Sequence, residues 1–338
     1  MFEKYLAPLE SELRAIVPEG GEAGPLYTML RYHLGWVDPA GRPSGLPSGK
    51  RIRPLLCLLA CEGYGADFHR ALPAAAALEL LHNFTLIHDD IQDRSDERRH
   101  RPTVWRIWGE AQGIDAGDAM YALARLALLR LPERGVPVAT VLAAVALFDR
   151  ACLNICEGQY LDIDFERRAE VGQAEYLAMI GRKTAALIGA AAEMGALVAG
   201  ATPSQREAMR QFGETLGLAY QVQDDILGVW GDPRVTGKPA ADDIRSKKKT
   251  LLVVHALAHG DARQVETLRR VYGQASPTEA EVAEIMQILE ETGARGYAEA
   301  EAGRLYGRTI DWLDVAAPAA PVKAALGSLV RSLLQRPS

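Results

Sequence analysis

Two short stretches of the chain carry carboxylates in a pattern that ordinary helices avoid. The first is Asp89-Asp90-Ile91-Gln92-Asp93 and the second is Asp224-Asp225-Ile226-Leu227-Gly228. On a helix, Asp89 and Asp93 lie one turn apart on one face, with Asp90 beside them. Adjacent like charges repel, and they become favourable when a hard divalent cation is shared among them. Mg2+ takes oxygen ligands, keeps several waters and combines a few carboxylates with substrate phosphates. The competing reading of one such cluster is a solvated acidic helix end. Leu80-Leu81, Phe84 and Leu86-Ile87 lead into the first cluster, which puts its acids on an otherwise buried helix. Carboxylates in that setting are costly unless a metal or cations compensate them.

Cations flank both clusters in sequence. Lys50, Arg51 and Arg53 open one helix, and Arg98 and Arg99 follow the first acids. Lys183 lies mid-chain, and Lys238 and Lys247-Lys248-Lys249 follow the second acids. Each basic residue alone reads as a solvated surface charge. The ordered set beside two acid clusters suits a polyphosphate, with aspartates holding metal while Arg forks and Lys point charges hold the outer oxygens.

The elements that must position these groups are helices. Ala71 to Asp93 is rich in Ala and Leu, with its proline near the start, where a helix tolerates it. Gly113 to Leu131, Val136 to Arg168 and Ala174 to Gly200 behave alike, and Pro203 suits the first turn of a run through Trp230. Pro277 to Leu313 reads as one or two helices broken around Gly293, and Val322 to Gln335 as a last one. Alternation at period two is essentially missing, so the expected fold is all-α, a single large helical domain over residues 1–338. Val37 to Gly49, Arg94 to Thr103 and Gly231 to Lys247 are the candidate loops. Thr85 to Ile91 resembles Tyr220 to Ile226, so two such helices facing each other would bring the acid clusters together in the core of a bundle.

Composition narrows the class further. With 38 Lys+Arg against 44 Asp+Glu, the chain is mildly acidic and gives no support for nucleic-acid binding. Its 48% hydrophobic and 24% charged residues argue against disorder. The N-terminus lacks the pattern of a secretion signal, and the apolar stretches Val136 to Phe148 and Ala185 to Ala201 fall short of a membrane span, the second carrying Glu193. A cytoplasmic protein is expected. The cysteines form two pairs one helical turn apart, Cys57/Cys61 and Cys152/Cys156, and are expected to be reduced and buried.

The motifs resemble those of the trans-isoprenyl diphosphate synthases, the farnesyl/geranylgeranyl diphosphate synthase family. The likeness runs from Gly49-Lys50-Arg51-Ile52-Arg53-Pro54 through D-D-x-x-D with paired arginine and Q-x-x-D-D to Lys248-Lys249-Thr250-Leu251, about 200 residues. It implies a Mg2+-dependent condensation of isopentenyl diphosphate with an allylic diphosphate (dimethylallyl, geranyl or farnesyl). By resemblance, Asp89, Asp90, Asp93, Asp224 and Asp225 would bind three Mg2+, with Mn2+ as the alternative, and Asp162 joins the metal set. Arg98, Lys183 and Lys238 would grip the allylic diphosphate, and Lys50, Arg53, His82 and Arg99 the isopentenyl one. Thr184 and Gln221 match positions near the reacting carbons. Gln159 and Asp162 match a G-Q-x-x-D element lining the pocket, and Lys248 the lysine of the following loop. Gly228 departs from the pattern, since many relatives carry an aspartate there.

Phe84 and the smaller Thr85, just before the first motif, resemble geranylgeranyl more than farnesyl synthases and predict a twenty-carbon product, with fifteen carbons next. The resemblance further implies a homodimer, with the Ala-rich faces of Gly113 to Leu131 and Val136 to Phe148 as its packing surfaces. Three other readings fit the residues less well. An HD-type phosphohydrolase, suggested by His88-Asp89, lacks further ligands and leaves the second cluster unexplained. A terpene cyclase would leave Lys50, Arg53, His82 and Arg99 without a ligand. A non-catalytic subunit conflicts with the intact aspartates.

Overall fold

The computed structural model describes residues 2–44, 49–168, 170–232, 240–274 and 276–334. Helices dominate: α1 (Glu3–Ile16), α2 (Gly24–His33), α3 (Ile52–Gly63), α4 (Leu72–Gln92), α5 (Val104–Trp108), α6 (Glu110–Leu128), α7 (Val138–Arg167), α8 (Gln173–Ile180), α9 (Ala186–Ala199) and α10 (Pro203–Trp230). Further helices at Leu251–His259, Ala262–Tyr272, Glu279–Glu291, Ala294–Ala316 and Ala320–Leu334 follow. The strands among the described residues form a two-residue hairpin, Glu97–Arg98 with Arg101–Pro102, inside the stretch expected to be a loop. The all-α expectation holds.

The chain divides into two compact units. The first comprises Met1–Cys152, Ala190–Arg210 and Val315–Leu326. Its centre is α4, whose residues from Leu72 to Leu81 are buried on every side, as suits a helix surrounded by others. Cys57 and Ala60 of α3 meet α9 at Gly195, where a Cβ would collide with the Cys57 carbonyl oxygen. The α6 helix approaches the end of α4 through Gly113 and Gly117, whose missing side chains leave room for Ile91 and His88. This close approach sets where the first acid cluster emerges.

The second unit comprises Leu153–Gly189, Gln211–Asp314 and Gly327–Ser338. Val222, Ile226 and Val229 of α10 pack with Tyr176, Met179 and Ile180 of α8 and with Leu251 to Val254. The expected helix from Ala174 to Gly200 is interrupted by a π turn at Gly181–Ala185. That turn is pressed from two directions, by Gly158 of α7 against the Lys183 backbone and by Gly217 of α10 against Ala185. A side chain at either glycine would collide, so the π turn is held by close backbone packing.

Two expectations need correction. Cys57 and Cys61 are buried, but Cys152 is half-buried and Cys156 exposed; all four are free thiols. The apolar stretch from Val136 to Phe148 lies on the long helix expected there, which runs to Arg167, and by length and composition it does not fall short of a membrane span. That 30-residue helix is long and apolar enough to cross a membrane, with 39% of its most apolar window buried. Its large exposed residues Val138, Leu142, Leu153 and Tyr160 explain the low burial, and the exposed position of Cys156 lies among them.

Candidate functional site

The first acid cluster sits at the C-terminal end of α4, where the helix dipole already disfavours negative charge. Asp90 is buried, with 1% of its surface exposed. Arg98 Nε donates to its Oδ1 at 2.8 Å, while the buried Oδ2 has no hydrogen-bond partner. Burial, opposed by Arg98 and reinforced by Asp89 and Asp93, raises the Asp90 pKa to about 6. Asp89 is half-buried and Asp93 exposed. The hairpin that returns Arg98 to Asp90 is pinned at Ser95, whose carbonyl accepts from Thr103 Oγ1 at 2.8 Å and Trp105 Nε1 at 2.9 Å. Arg99 and His100 make its tip with positive φ.

The neighbouring cations divide by role. Arg51, at φ 49°, turns inward to Glu79 at 2.6 Å and Glu10 at 3.2 Å, and is committed to the core. Arg99 lies against Gly49, whose φ of +84° and lack of a Cβ admit the guanidinium. Arg53, Arg99 and Arg98 surround His82, whose pKa falls well below the histidine range through burial first and these charges second. The structure therefore gathers Arg53, His82, Arg98 and Arg99, and Lys50 lies exposed one residue before Arg51. It adds His33 of α2, buried near Arg98, Arg99 and Arg101 and held neutral by burial. Sequence reasoning missed His33 because nothing in Arg31-Tyr32-His33 signals which face of α2 meets the arginines.

In the second unit, Asp224 is exposed and Asp225 buried, though adjacent in sequence. Asp225 accepts three hydrogen bonds, from Tyr176 Oη, from the Leu251 amide at 3.0 Å and from Gln221 Nε2 at 3.1 Å. Burial nevertheless outweighs these donors and raises its pKa to about 7, with Asp243 adding to the rise. Thr184 Oγ1 donates to Gln221 Oε1 at 2.9 Å, so this expected pair is in contact. Lys183 is bonded to Asp162, and Gln159, one turn before it on α7, is buried. Gly213, Gly217, Gln221 and Asp225 recur every four residues, giving α10 a ridge that is narrow where it meets the 185–189 backbone and polar beyond.

Gly228 has a structural counterpart. A Cβ at this position would run into the carboxylate of Asp243, from the short helix Asp242–Arg245. An acid reaching from another segment thus fills the space that a side chain at 228 would need. Lys248 Nζ lies 3.8 Å from Asp243, whereas Lys247 donates to the Gln274 carbonyl. Lys238 falls outside the described residues.

Phe84 packs edge-on to His88, with ring centroids 4.9 Å apart, and tilted against Tyr121 at 5.4 Å. Tyr121 continues to the buried Phe148 at 6.1 Å, so Phe84 belongs to an aromatic row spanning α4, α6 and α7. Thr85 bonds back to the His82 carbonyl at 2.8 Å. Tyr121 was not anticipated, since its link to Phe84 crosses two helices.

Among the described residues, no group of three or more His, Cys, Asp or Glu side chains stands ready to hold a metal by itself. The donors still fit Mg2+, which accepts a few carboxylates and completes its shell with water and phosphate oxygens. Both clusters offer oxygen alone, and the unpartnered buried Oδ2 of Asp90 is a lone pair suited to a cation.

An all-helical scaffold of this kind is the isoprenoid synthase fold. The sequence matches the polyprenyl synthetase family over residues 42–289, and the chain belongs to that family. It is 45% identical over 286 residues to the (2E,6E)-farnesyl diphosphate synthase of Mycobacterium bovis, covering 84% of this chain and 78% of that protein. It is 40% identical to the geranylgeranyl diphosphate synthase of Mycobacterium tuberculosis over 275 residues, covering 81% and 77%. The crystal structure of a polyprenyl synthetase from Streptomyces coelicolor matches with a TM-score of 0.90 at 37% identity, covering 98% of both chains. The protein is a trans-prenyltransferase that elongates isoprenoid chains.

The buried histidine makes a testable contribution. Because the folded-state pKa of His33 lies below the usual 6.5, the unfolded chain takes up the proton first as pH falls. Its contribution is complete above pH 6.5 and is lost below it, at up to about 1.4 kcal/mol per pH unit. Asp90 and Asp225, with raised values, act in the opposite direction. Urea unfolding at pH 7.5 and 5.5 should therefore show a smaller acid loss of stability in His33→Gln than in the wild type.

Proposed function

We propose that the protein joins isopentenyl diphosphate to an allylic diphosphate and releases geranylgeranyl diphosphate. The observation that carries the product length is the aromatic row begun by Phe84, one helical turn and one residue before Asp89, with the smaller Thr85 beside it. Phe84 would form the floor against which the growing chain stops. A fifteen-carbon product is the second reading, favoured by the similarity to the Mycobacterium bovis farnesyl enzyme.

Asp89, Asp90, Asp93, Asp162, Asp224 and Asp225 are assigned to Mg2+, three ions per site. Bound Mg2+ supplies neutralising charge for the diphosphate. Arg98, Lys183 and Lys238 hold the allylic diphosphate, and Lys50, Arg53, His82 and Arg99 hold isopentenyl diphosphate. Arg98 bonds Asp90, and Lys183 bonds Asp162. These pairs keep the cations poised, and the diphosphate oxygens compete for them on binding.

In the reaction the allylic C–O bond breaks and its electron pair leaves with pyrophosphate. The double bond of isopentenyl diphosphate attacks the allylic carbon, and the proton lost afterwards passes to the departing pyrophosphate. Thr184 and Gln221 present oxygens toward the developing positive charge, a case of electrostatic stabilisation. Gln159 lines the pocket and Lys248 belongs to the loop that covers it. Water must be excluded, because it would quench the cation.

The protein is further proposed to act as a homodimer. Leu126 of α6, Leu129 just beyond its end, and Val138 and Leu142 of α7 are each more than half exposed, and a second copy would cover them.

Incubation with Mg2+, isopentenyl diphosphate and labelled farnesyl diphosphate should yield a twenty-carbon diphosphate, read by mass. Asp89→Asn and Asp224→Asn should each reduce turnover by at least about a hundredfold with helix content unchanged. A hydrocarbon or alcohol product would instead identify a cyclase, and absent turnover a non-catalytic subunit. Phe84→Ala should lengthen the product, and an unchanged product removes Phe84 from the floor. Light scattering should return twice the chain mass, with Leu142→Glu shifting it toward the monomer.

A further inference from the structure

Tyr176 has no place in the roles assigned above, yet its hydroxyl begins a continuous chain of hydrogen bonds. The side chain lies on α8 with 2% of its surface exposed. Its hydroxyl donates to Asp225 Oδ2, the oxygen that also accepts from the Leu251 amide at 3.0 Å. The other oxygen, Oδ1, accepts from Gln221 Nε2 at 3.1 Å, and Gln221 Oε1 accepts from Thr184 Oγ1 at 2.9 Å. Three segments, around residues 176, 225 and 251, meet at one carboxylate.

We propose that Tyr176 is a positioning residue that acts through Asp225 to orient the amide of Gln221 and the hydroxyl of Thr184.

A primary amide has a donor end and an acceptor end of nearly equal size, so packing alone does not choose its orientation. Asp225 Oδ1 takes the NH2 end of Gln221, and this turns the carbonyl toward Thr184. Thr184 must then spend its proton on that carbonyl, which leaves its lone pairs outward. Tyr176 and the Leu251 amide occupy Oδ2 and so leave Oδ1 as the oxygen offered to Gln221. Without the hydroxyl, one bond from Oδ2 to a backbone amide remains, and Asp225 can turn. Both oxygens that would face an allylic cation are thereby placed by a tyrosine that touches neither. The inference rests on the prenyltransferase reading of this site.

Tyr176→Phe keeps the ring and removes only the hydroxyl. It should lower kcat about tenfold, equivalent to about 1.4 kcal/mol in the barrier, while KM for both diphosphates stays within about twofold. In a Gln221→Leu background the same substitution should cost nothing further, because the group being positioned is gone. Unchanged kcat in Tyr176→Phe, or losses that multiply in the double variant, would overturn the proposal. If Tyr176→Phe does not fold, the wild type carries the test by NMR: the Gln221 side-chain NH2 should exchange more slowly than the NH2 of exposed glutamines, and exchange at the exposed rate overturns the proposal. Should the wild type make no prenyl product, the prenyltransferase reading fails by itself. The positioning is then read by NMR of the Gln221 side-chain NH2, whose protons should exchange slowly in the wild type and fast in Tyr176→Phe. Equal exchange in the two proteins refutes it.

Discussion

Burying a carboxylate in a protein core is costly unless donors or cations reach it, and this chain does so at Asp90 and at Asp225. Much of the surrounding architecture answers that cost. In the first unit, the chain reverses immediately after α4 so that Arg98 returns to Asp90, and the reversal is fastened at Ser95. In the second, a tyrosine, a helix-opening amide and a glutamine converge on Asp225. Neither arrangement neutralises its acid completely, since both pKa values remain raised. Sites under such electrostatic strain recur where a cation is to be received.

Glycine supplies the geometry that these acids require. Gly113 and Gly117 let α6 close on the end of α4, and Gly158 and Gly217 hold the π turn that presents Lys183 and Thr184. Gly228 shows the same rule in reverse. Its missing side chain gives its space to Asp243, so the departure from the usual motif is matched by an acid from elsewhere in the unit. A substitution at one of these positions would shift backbone, and with it the acid clusters or Lys183 and Thr184.

Adjacent residues with similar chemistry were sorted by three-dimensional context. Arg51 is spent on Glu79 while Arg53 joins the cluster at His82, and Asp224 faces solvent while Asp225 is enclosed. Lys247 is tied to a backbone carbonyl while Lys248 reaches toward Asp243. Helical periodicity separates neighbours by about 100° and so announces that they differ, but it does not say which one turns inward.

Residue types and local spacing were enough to determine the all-helical fold and the family, because both rest on patterns within a few turns. Tyr121 beside Phe84, His33 among the arginines, the exposed Cys156 and the π turn at Gly181–Ala185 were not legible in this way. Tertiary structure alone decided what satisfies each buried polar atom. Asp225 takes two of its three partners from 49 residues before it and 26 after it, and no periodicity within one helix carries information over that distance.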